Sequence, residues 1–220
     1  MQFHRMNYYR IFLEFLDGSY FTDSLQETLS VLGNGISSSE KRIEQAEESQ
    51  DEDYIEAVAD SEIEIIENLL GTSFIVCQTY ISFIVTRVIK MHELHNRLNS
   101  DITLDIINPN KKEILIFGER FEKNTNYSKV QLIDAFANYF KHRSEWKYNW
   151  ENLNNQSKNT ADIIKIAGAS QGSSGNLRRG AEVLGNADYI NTLQFYNIIN
   201  KWRNDIFIAY KDEFKRQHLI

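Results

Sequence analysis

The chain has 220 residues, with 31 Asp and Glu against 24 Lys and Arg, so its formal charge at pH 7 is −7. Hydrophobic residues make up 42% of the chain and charged residues 25%, values typical of a globular protein that argue against global disorder. The single cysteine excludes an intramolecular disulfide framework and any multi-cysteine zinc module. The single proline disfavours a loop-rich all-β sandwich.

The negative charge is concentrated in residues 40–70. This segment holds twelve acidic and two basic residues, a local net charge of −10, whereas the rest of the chain carries a net charge of +3. The overall acidity therefore does not exclude an anionic partner elsewhere on the surface. An acidic segment of this kind is typical either of the solvated face of a long helix or of a docking surface for a basic partner.

The start of the chain has no pattern of an export signal. Arg5 and Arg10 occur among apolar residues, but Glu14 and Asp17 interrupt that pattern and no small-residue cleavage site follows. We therefore expect a cytoplasmic protein. The one candidate for a membrane span, residues 68–86, has no charge but contains seven polar side chains. We expect it to be a buried core helix, with no membrane partner.

Apolar residues recur at helical spacing through most of the first half of the chain. Residues 24–35 are predicted to be helical, and the three serines at 37–39 are typical of the start of a second helix. From about residue 51 the pattern continues to residue 98, which predicts one helix of roughly 65 Å. Gly71 is its weakest point, where a kink is expected.

The second half begins with a polar connection over residues 99–110, which contains the single proline. Residues 113–117 (EILIF) are a short apolar run compatible with one strand, although no partner strand is evident. Residues 168–175 are predicted to be a flexible loop rich in Gly and Ser. Further helices are predicted over residues 129–146, 160–167, 176–184 and 188–217.

This succession of elements predicts an all-α fold class. We expect an elongated helical bundle of roughly five to seven helices, with one very long helix over about 51–98. Residues 1–220 are expected to form a single helical domain, from which residues 37–70 project as an acidic helical arm.

The helix predicted over 129–146 concentrates polar groups on one face. At about 100° per residue, five of its polar side chains fall within a narrow arc: Asp134, Asn138, Lys141, His142 and Glu145. Such a face can bind an anion or move a proton near neutral pH. Alternatively, it is the solvated face of an amphipathic helix.

Arg143 lies on the opposite, apolar side of the same helix. A guanidinium in such a place needs a carboxylate partner or a helix C-terminus, and the acids of residues 40–70 are the obvious source. Five residues of this helix are our candidates for substrate binding: Asn138, Lys141, His142, Arg143 and Glu145.

A second cluster, residues 86–97 (TRVIKMHELHNR), contains Arg87 followed by four residues and His92. This spacing resembles the Arg-x4–6-His signature of the HEPN family, helical proteins of which many are metal-independent ribonucleases that act as dimers. The position after the arginine, commonly polar in that family, is here Val88. Residues 137–146 (ANYFKHRSEW) also look like a run found in uncharacterised bacterial helical proteins.

The HEPN resemblance implies a catalytic pair. Arg87 would stabilise charge on the phosphate, and His92 would polarise or deprotonate the attacking 2′-hydroxyl of RNA. It also implies a homodimer, and a toxin or phage-defence effector as the biological setting. Because residues i and i+5 of a straight helix lie about 140° apart, the two side chains converge only if the helix bends.

Other sites with possible chemistry are weaker. His92 and His95 have the spacing of a helical ligand pair, but a third ligand is not evident, and we expect no metal and no cofactor. Cys77 lies in an apolar run without a nearby base, which favours packing over reactivity. Arg178 and Arg179 form a small basic point near a predicted helix N-terminus, where an anion could bind.

Two classes of function are consistent with these patterns. The first is a HEPN-like protein acting on RNA through Arg87 and His92, with support from the 138–145 face. The second is a non-enzymatic interaction or regulatory protein whose acidic arm docks on a basic partner. Residues 120–220 carry a net charge of +5, so an acidic arm of one chain could also pack on the basic half of another in a homodimer.

Overall fold

The computed structural model describes residues 2–18, 20–98, 101–121, 125–146, 150–185 and 188–220, with side chains described in these ranges other than at 2–7, 20–21 and 156. Within them the only β pairing is an isolated bridge between Arg120 and Ser128, so the predicted all-α class is confirmed. The helices in chain order are α1 (Gln2–Asp17), α2 (Tyr20–Glu47), α3 (Glu52–Leu98), α4 (Lys111–Ile116), α5 (Lys129–Trp146), α6 (Asn155–Ile166), α7 (Asn176–Leu184) and α8 (Leu193–Arg216).

Helix α3 is the long helix that the sequence predicts. Its 47 residues extend about 70 Å, and six other helices pack against it: α1, α2, α4, α5, α7 and α8. The helix continues without interruption through Gly71, where a kink was expected. A Cβ atom at Gly71 would lie 2.3 Å from the ring of Phe140, so the glycine permits the close approach of α3 and α5.

Helix α2 is a single helix, and the predicted boundary at the serines of 37–39 is wrong. Ser38 lies inside the helix and donates its hydroxyl to the carbonyl of Asn34, one turn earlier. Ser39 is fully buried against α3. Packing along α3 stabilises a continuous helix here, because Gly35 lets the backbone of α2 approach Leu69 closely.

The run at residues 113–117 is not a strand. Its residues belong to the short helix α4 and its C-terminal end, which bury Ile114 and Leu115. The side chain of Asn110 accepts a hydrogen bond from the backbone N–H of Glu113 and caps the first turn. A short apolar run does not distinguish a strand from a buried helical turn, and the cap decides it here.

The predicted helix over 129–146 is confirmed as α5. At its start the backbone N–H of Ser128 donates to the side chain of Gln131, and the N–H of Gln131 donates to the Ser128 hydroxyl. This reciprocal pair is a capping box, the cap that the serine predicts. The helices predicted from residues 160 and 188 begin instead at Asn155 and Leu193.

The buried apolar side chains of the helices join one hydrophobic core. At its centre the ring of Phe74 in α3 stacks on Phe136 of α5 and Phe195 of α8, with centroids 5.2 and 4.9 Å apart. Cys77 is fully buried beside them, and burial raises the pKa of its thiol, as expected of a packed cysteine. The core therefore fixes α3 between α5 and α8.

Helices α2 and α3 form an antiparallel pair whose end carries the acidic segment. From residue 47 to residue 61 every side chain is exposed or half-buried. We call residues 40–67 the acidic hairpin.

Within the described residues, α3 is the one helix long and apolar enough in part to cross a membrane. The criterion is length and composition alone, with a mean hydropathy of 1.6 over an 18-residue stretch. Within the fold, 44% of that stretch is buried.

Candidate functional site

Arg87 lies on the surface of α3, beside α1. Its guanidinium carbon is 5.1 Å from the ring centre of Phe15 and 5.0 Å from that of Phe83, which are cation–π contacts. Together with Lys90 and side chains of α1, it lines a cavity of about 290 Å³. Partial burial raises the pKa of Tyr8 in this cavity, and the charge of Arg87 opposes that shift.

His92 lies in the core instead. His92 is only 5% exposed, and its Nε2 atom is 2.6 Å from the hydroxyl oxygen of Tyr210. Burial lowers the pKa of His92 to about 4, and the neighbouring His95 contributes to the shift. Burial also raises the pKa of the Tyr210 phenol. At neutral pH, His92 is therefore an uncharged side chain of the core.

The structure does not bring Arg87 and His92 together. One side chain faces solvent and the other is buried against α8, as the 140° offset along an uninterrupted helix implies. A general base must reach the proton that it removes, and the buried ring of His92 contacts Tyr210 instead. The catalytic assignment of this pair stays a prediction without geometric support in the single chain.

His95 is also a structural residue. Its Nε2 atom is 2.7 Å from the carbonyl oxygen of Ile102, and its Nδ1 atom is 3.0 Å from the Tyr9 hydroxyl. Because a carbonyl oxygen only accepts, the Nε2 atom donates to Ile102, and the Nδ1 atom shares a hydrogen bond with the tyrosine hydroxyl. Both ring nitrogens are therefore occupied. In the part of the chain that the structure describes, no group of three His, Cys, Asp or Glu residues could hold a metal ion.

Two of the candidate residues on α5, Asn138 and Lys141, meet in a polar network with α3. The amide nitrogen of Gln78 donates to the carboxylate of Asp134 at 2.8 Å and to the side-chain oxygen of Asn138 at 3.0 Å. Lys141 donates to the side-chain oxygen of Gln78 at 2.8 Å, and Lys111 of α4 donates to Asp134 at 3.0 Å. The network thus joins three helices.

The sequence patterns did not identify Gln78 and Lys111. Gln78 lies in the apolar run of α3 and is buried. An amide among apolar residues was the one feature of the sequence that could have indicated a polar contact there. Since the amide of Gln78 and the carboxylate of Asp134 are bound by neighbouring side chains, the network is a structural link between helices. Beside it lies a cavity of about 240 Å³ lined in part by Lys112, Asn159 and Thr160.

His142 and Glu145 are separate from that network. Both are exposed, and the Nδ1 atom of His142 lies 3.2 Å from a carboxylate oxygen of Glu145. An exposed pair one turn apart stabilises a helix by only a few tenths of a kcal/mol, about 0.2–0.5. The predicted arc on α5 therefore divides into a half-buried network and a solvated pair.

The sequence predicts a partner for the guanidinium of Arg143, and the structure provides one. This partner is the side-chain amide of Asn68, not a carboxylate. The guanidinium donates to the side-chain oxygen of Asn68 at 2.8 Å and lies 4.7 Å from the ring centre of Phe140. The carboxylate of Glu67 is near enough for the charge of Arg143 to lower its pKa, against the dominant effect of burial, which raises it.

The anion bound at the N-terminus of α7 is the carboxylate of Glu67. Its two carboxylate oxygens accept hydrogen bonds from the backbone N–H groups of Leu177 and Arg178, at 3.2 and 3.0 Å. A helix N-terminus attracts negative charge, and here α3 supplies it from within the chain. The basic point at Arg178 therefore marks an internal contact.

The acids of the acidic hairpin fall into two groups. Glu62 forms a two-point ion pair with Arg42, at 2.6 and 2.7 Å, which holds its pKa below the usual value. Glu40 accepts a hydrogen bond from Tyr189 of the α7–α8 connection, and Glu67 is bound as described. The other nine are exposed, with no ion pair to any residue that the structure describes: Glu44, Glu47, Glu48, Asp51, Glu52, Asp53, Glu56, Asp60 and Glu64.

Comparison with known proteins adds no further assignment. No family model, no curated protein and no solved structure matches this chain.

Proposed function

We propose that this chain is a non-enzymatic helical interaction protein whose acidic hairpin docks on a basic partner. The observation that carries the proposal is the group of nine exposed carboxylates without an ion pair in the described residues. Like charges at this density repel one another, and a partner of opposite charge relieves that repulsion. Such a surface also accelerates the encounter with a basic partner.

An exposed aromatic side chain supports the same proposal. Tyr54, in the first turn of α3, is 52% exposed and lies between Asp53 and Glu56 in the sequence. Tyrosine is among the residues that contribute most to the stability of protein interfaces, because its ring is buried there while its hydroxyl keeps a hydrogen bond. The hairpin therefore combines charge for attraction with an aromatic anchor.

The alternative, a HEPN-like ribonuclease, has less support. It requires Arg87 and His92 to act on one phosphodiester, whereas His92 is buried against Tyr210 with a pKa of about 4. A cytoplasmic location, and RNA as a partner, accordingly remain predictions from the sequence.

The proposal is tested with two variants of equal charge change. One neutralises the hairpin with Glu52→Gln, Asp53→Asn, Glu56→Gln and Asp60→Asn. The control neutralises four exposed acids elsewhere, with Asp23→Asn, Glu27→Gln, Glu93→Gln and Asp212→Asn. Binding of a fluorescent lysine-rich peptide is measured by anisotropy at low and high salt.

We expect the hairpin variant to lose about tenfold in affinity, and the control to stay within about twofold of the wild type. High salt should weaken wild-type binding, because the attraction is electrostatic. Equal losses in the two variants would mean that only net charge matters, and would overturn the proposal.

A further inference from the structure

One side of α3 is left uncovered between the helices that pack on it. Five side chains on this side are exposed or half-buried, and they lie within about 80° of one another around the helix at 100° per residue. We call them the open face: Ile65, Thr72, Val76, Thr79 and Thr86. No charged residue occurs between positions 68 and 86, although a solvated helix face is normally rich in charge.

The threonines of the open face have their hydroxyl groups satisfied within the helix. Thr72, Thr79 and Thr86 each donate to the carbonyl oxygen four residues earlier, at 2.8, 3.1 and 2.8 Å. Covering this face would therefore leave no hydroxyl donor without a partner, and such a donor is what makes burial of a polar side chain costly. The open face is chemically suited to a protein contact.

The two ends of α3 carry opposite charge. The first turn holds exposed Glu52 and Asp53, and the last turns hold exposed Arg87, Lys90 and Arg97 with one exposed acid, Glu93. Two copies of α3 laid antiparallel would bring the acidic end of each to the basic end of the other.

The register of that arrangement follows from helix geometry. Tyr54 and Lys90 are 36 residues apart, which is ten turns at 3.6 residues per turn, so both point to the same side of α3 about 54 Å apart. Thr72 lies midway between them, on the open face. A two-fold axis near Thr72 therefore places Tyr54 of one copy beside Lys90 of the other.

A groove at the basic end of α3 is suited to an aromatic side chain that is flanked by carboxylates. The cavity of about 290 Å³ between α1 and α3 is lined by Tyr8, Ile11, Phe12, Phe15, Arg87 and Lys90. Ile11 is 59% exposed there. The lining is apolar with two cations at its rim, which is complementary to Tyr54 and the carboxylates around it.

From these contacts we infer that a second copy of this chain packs antiparallel on the open face, with its Tyr54 in the α1–α3 groove. The inference rests on the proposed function, since it identifies the basic partner of the hairpin as a second copy. Each contact forms twice about the two-fold axis, as in most homodimers. A lipid surface is disfavoured as the occupant, because anionic headgroups would repel the nine exposed carboxylates of the acidic hairpin.

The test places a charge at the centre of the interface. Thr72→Arg brings two like charges together across the axis, and Thr28→Arg is its matched control. Thr28 is also an exposed helical threonine that donates to the carbonyl four residues earlier, but it lies on α2. Mass is measured by light scattering on a size-exclusion column over a range of concentrations.

We expect the wild type and Thr28→Arg to have twice the chain mass of 25.8 kDa. Thr72→Arg should run as a monomer, with a dissociation constant raised at least about tenfold and an unchanged circular dichroism spectrum. A charge exchange gives a second test: Arg87→Glu with Lys90→Glu should dissociate the dimer, and adding Asp53→Lys, beside Tyr54 in the first turn of α3, should restore part of the association.

Three results would overturn the inference: a monomeric wild type, a dimer insensitive to Thr72→Arg, or flotation of the wild type with vesicles of phosphatidylcholine and phosphatidylserine. If the inference fails while neutralising the hairpin still reduces peptide binding, the proposed function stands and the partner is another protein. If neutralisation has no effect on peptide binding, the proposed function fails as well.

Discussion

The Nε2 atom of His92 lies 2.6 Å from the hydroxyl oxygen of Tyr210, joining α3 to α8 inside the core. The ring that the sequence suggested for catalysis thus takes part in packing. Since burial lowers its pKa to about 4, the folded protein holds this ring neutral over a pH range where the unfolded chain protonates it. That difference makes stability depend on pH.

The first prediction concerns this pH dependence. The unfolded chain gains a proton at His92 below about pH 6.5, whereas the folded chain gains it only near pH 4. The free energy of unfolding should therefore fall as pH decreases from 6.5 to 4, by up to about 3 kcal/mol from this residue. Urea titrations at several pH values measure the slope.

His92→Gln should flatten that slope, because it removes the titrating group, whatever its own cost in stability. The control is His142→Gln, the same substitution at an exposed histidine of α5. An unaltered slope in His92→Gln would show that another group is responsible.

The second prediction concerns RNA cleavage. If the chain is an interaction protein, purified wild type should not cleave a labelled RNA above the background of a mock preparation. Arg87→Ala should give the same result, because its guanidinium lies on the surface away from His92. Gel electrophoresis with a chelator present measures the cleavage. Activity in the wild type that Arg87→Ala abolishes would instead support the HEPN-like ribonuclease.

The third prediction concerns the close approach of α3 and α5. In Gly71→Ala the added methyl group would lie 2.3–2.5 Å from three ring atoms of Phe140, so the ring must move. We expect a loss of about 1–3 kcal/mol in the free energy of unfolding. Chemical denaturation measures it.

Gly175→Ala is the control for that substitution, because a methyl group there meets nothing within 4 Å. Phe140→Leu should recover part of the stability when combined with Gly71→Ala, since the smaller side chain makes room. Additive losses in the double variant would argue against the steric explanation.

The fourth prediction concerns the polar network between α3 and α5. Gln78→Leu removes the amide that binds Asp134, Asn138 and Lys141, and leaves the buried carboxylate with fewer partners. We expect a cost of about 2 kcal/mol, whereas Gln26→Leu on the exposed face of α2 should change stability by less than about 0.5 kcal/mol. A cost no greater than that of the control would mean that the network contributes nothing measurable.

Whether a feature could be predicted from the sequence depends on how far apart in the chain the interacting residues are. The course of α3 and the start of α5 at Ser128 were predictable, because apolar spacing and a capping residue act within a few positions. The helix boundary at 37–39 was wrong, and the run at 113–117, which was also compatible with a strand, is helical, because tertiary packing or a cap overrode a short local pattern.

The candidate site was less predictable for the same reason. Arg87 and His92 are neighbours in a motif, but the helical period directs one to solvent and the other to the core. Gln78 and Asp134 are 56 positions apart, and only the packing of α3 on α5 brings them within 2.8 Å. The anion at the start of α7 comes from Glu67, more than a hundred positions away.

The sequence by itself determined that this protein is helical, that one helix is very long, and that its acidic charge is concentrated in one segment, since these are properties of composition and local spacing. Only the tertiary structure decided which acids are bound within the chain and which face solvent, and that His92 is buried. The physical reason is that burial and ion pairing depend on which helices pack together, and those contacts join residues that are distant in the chain.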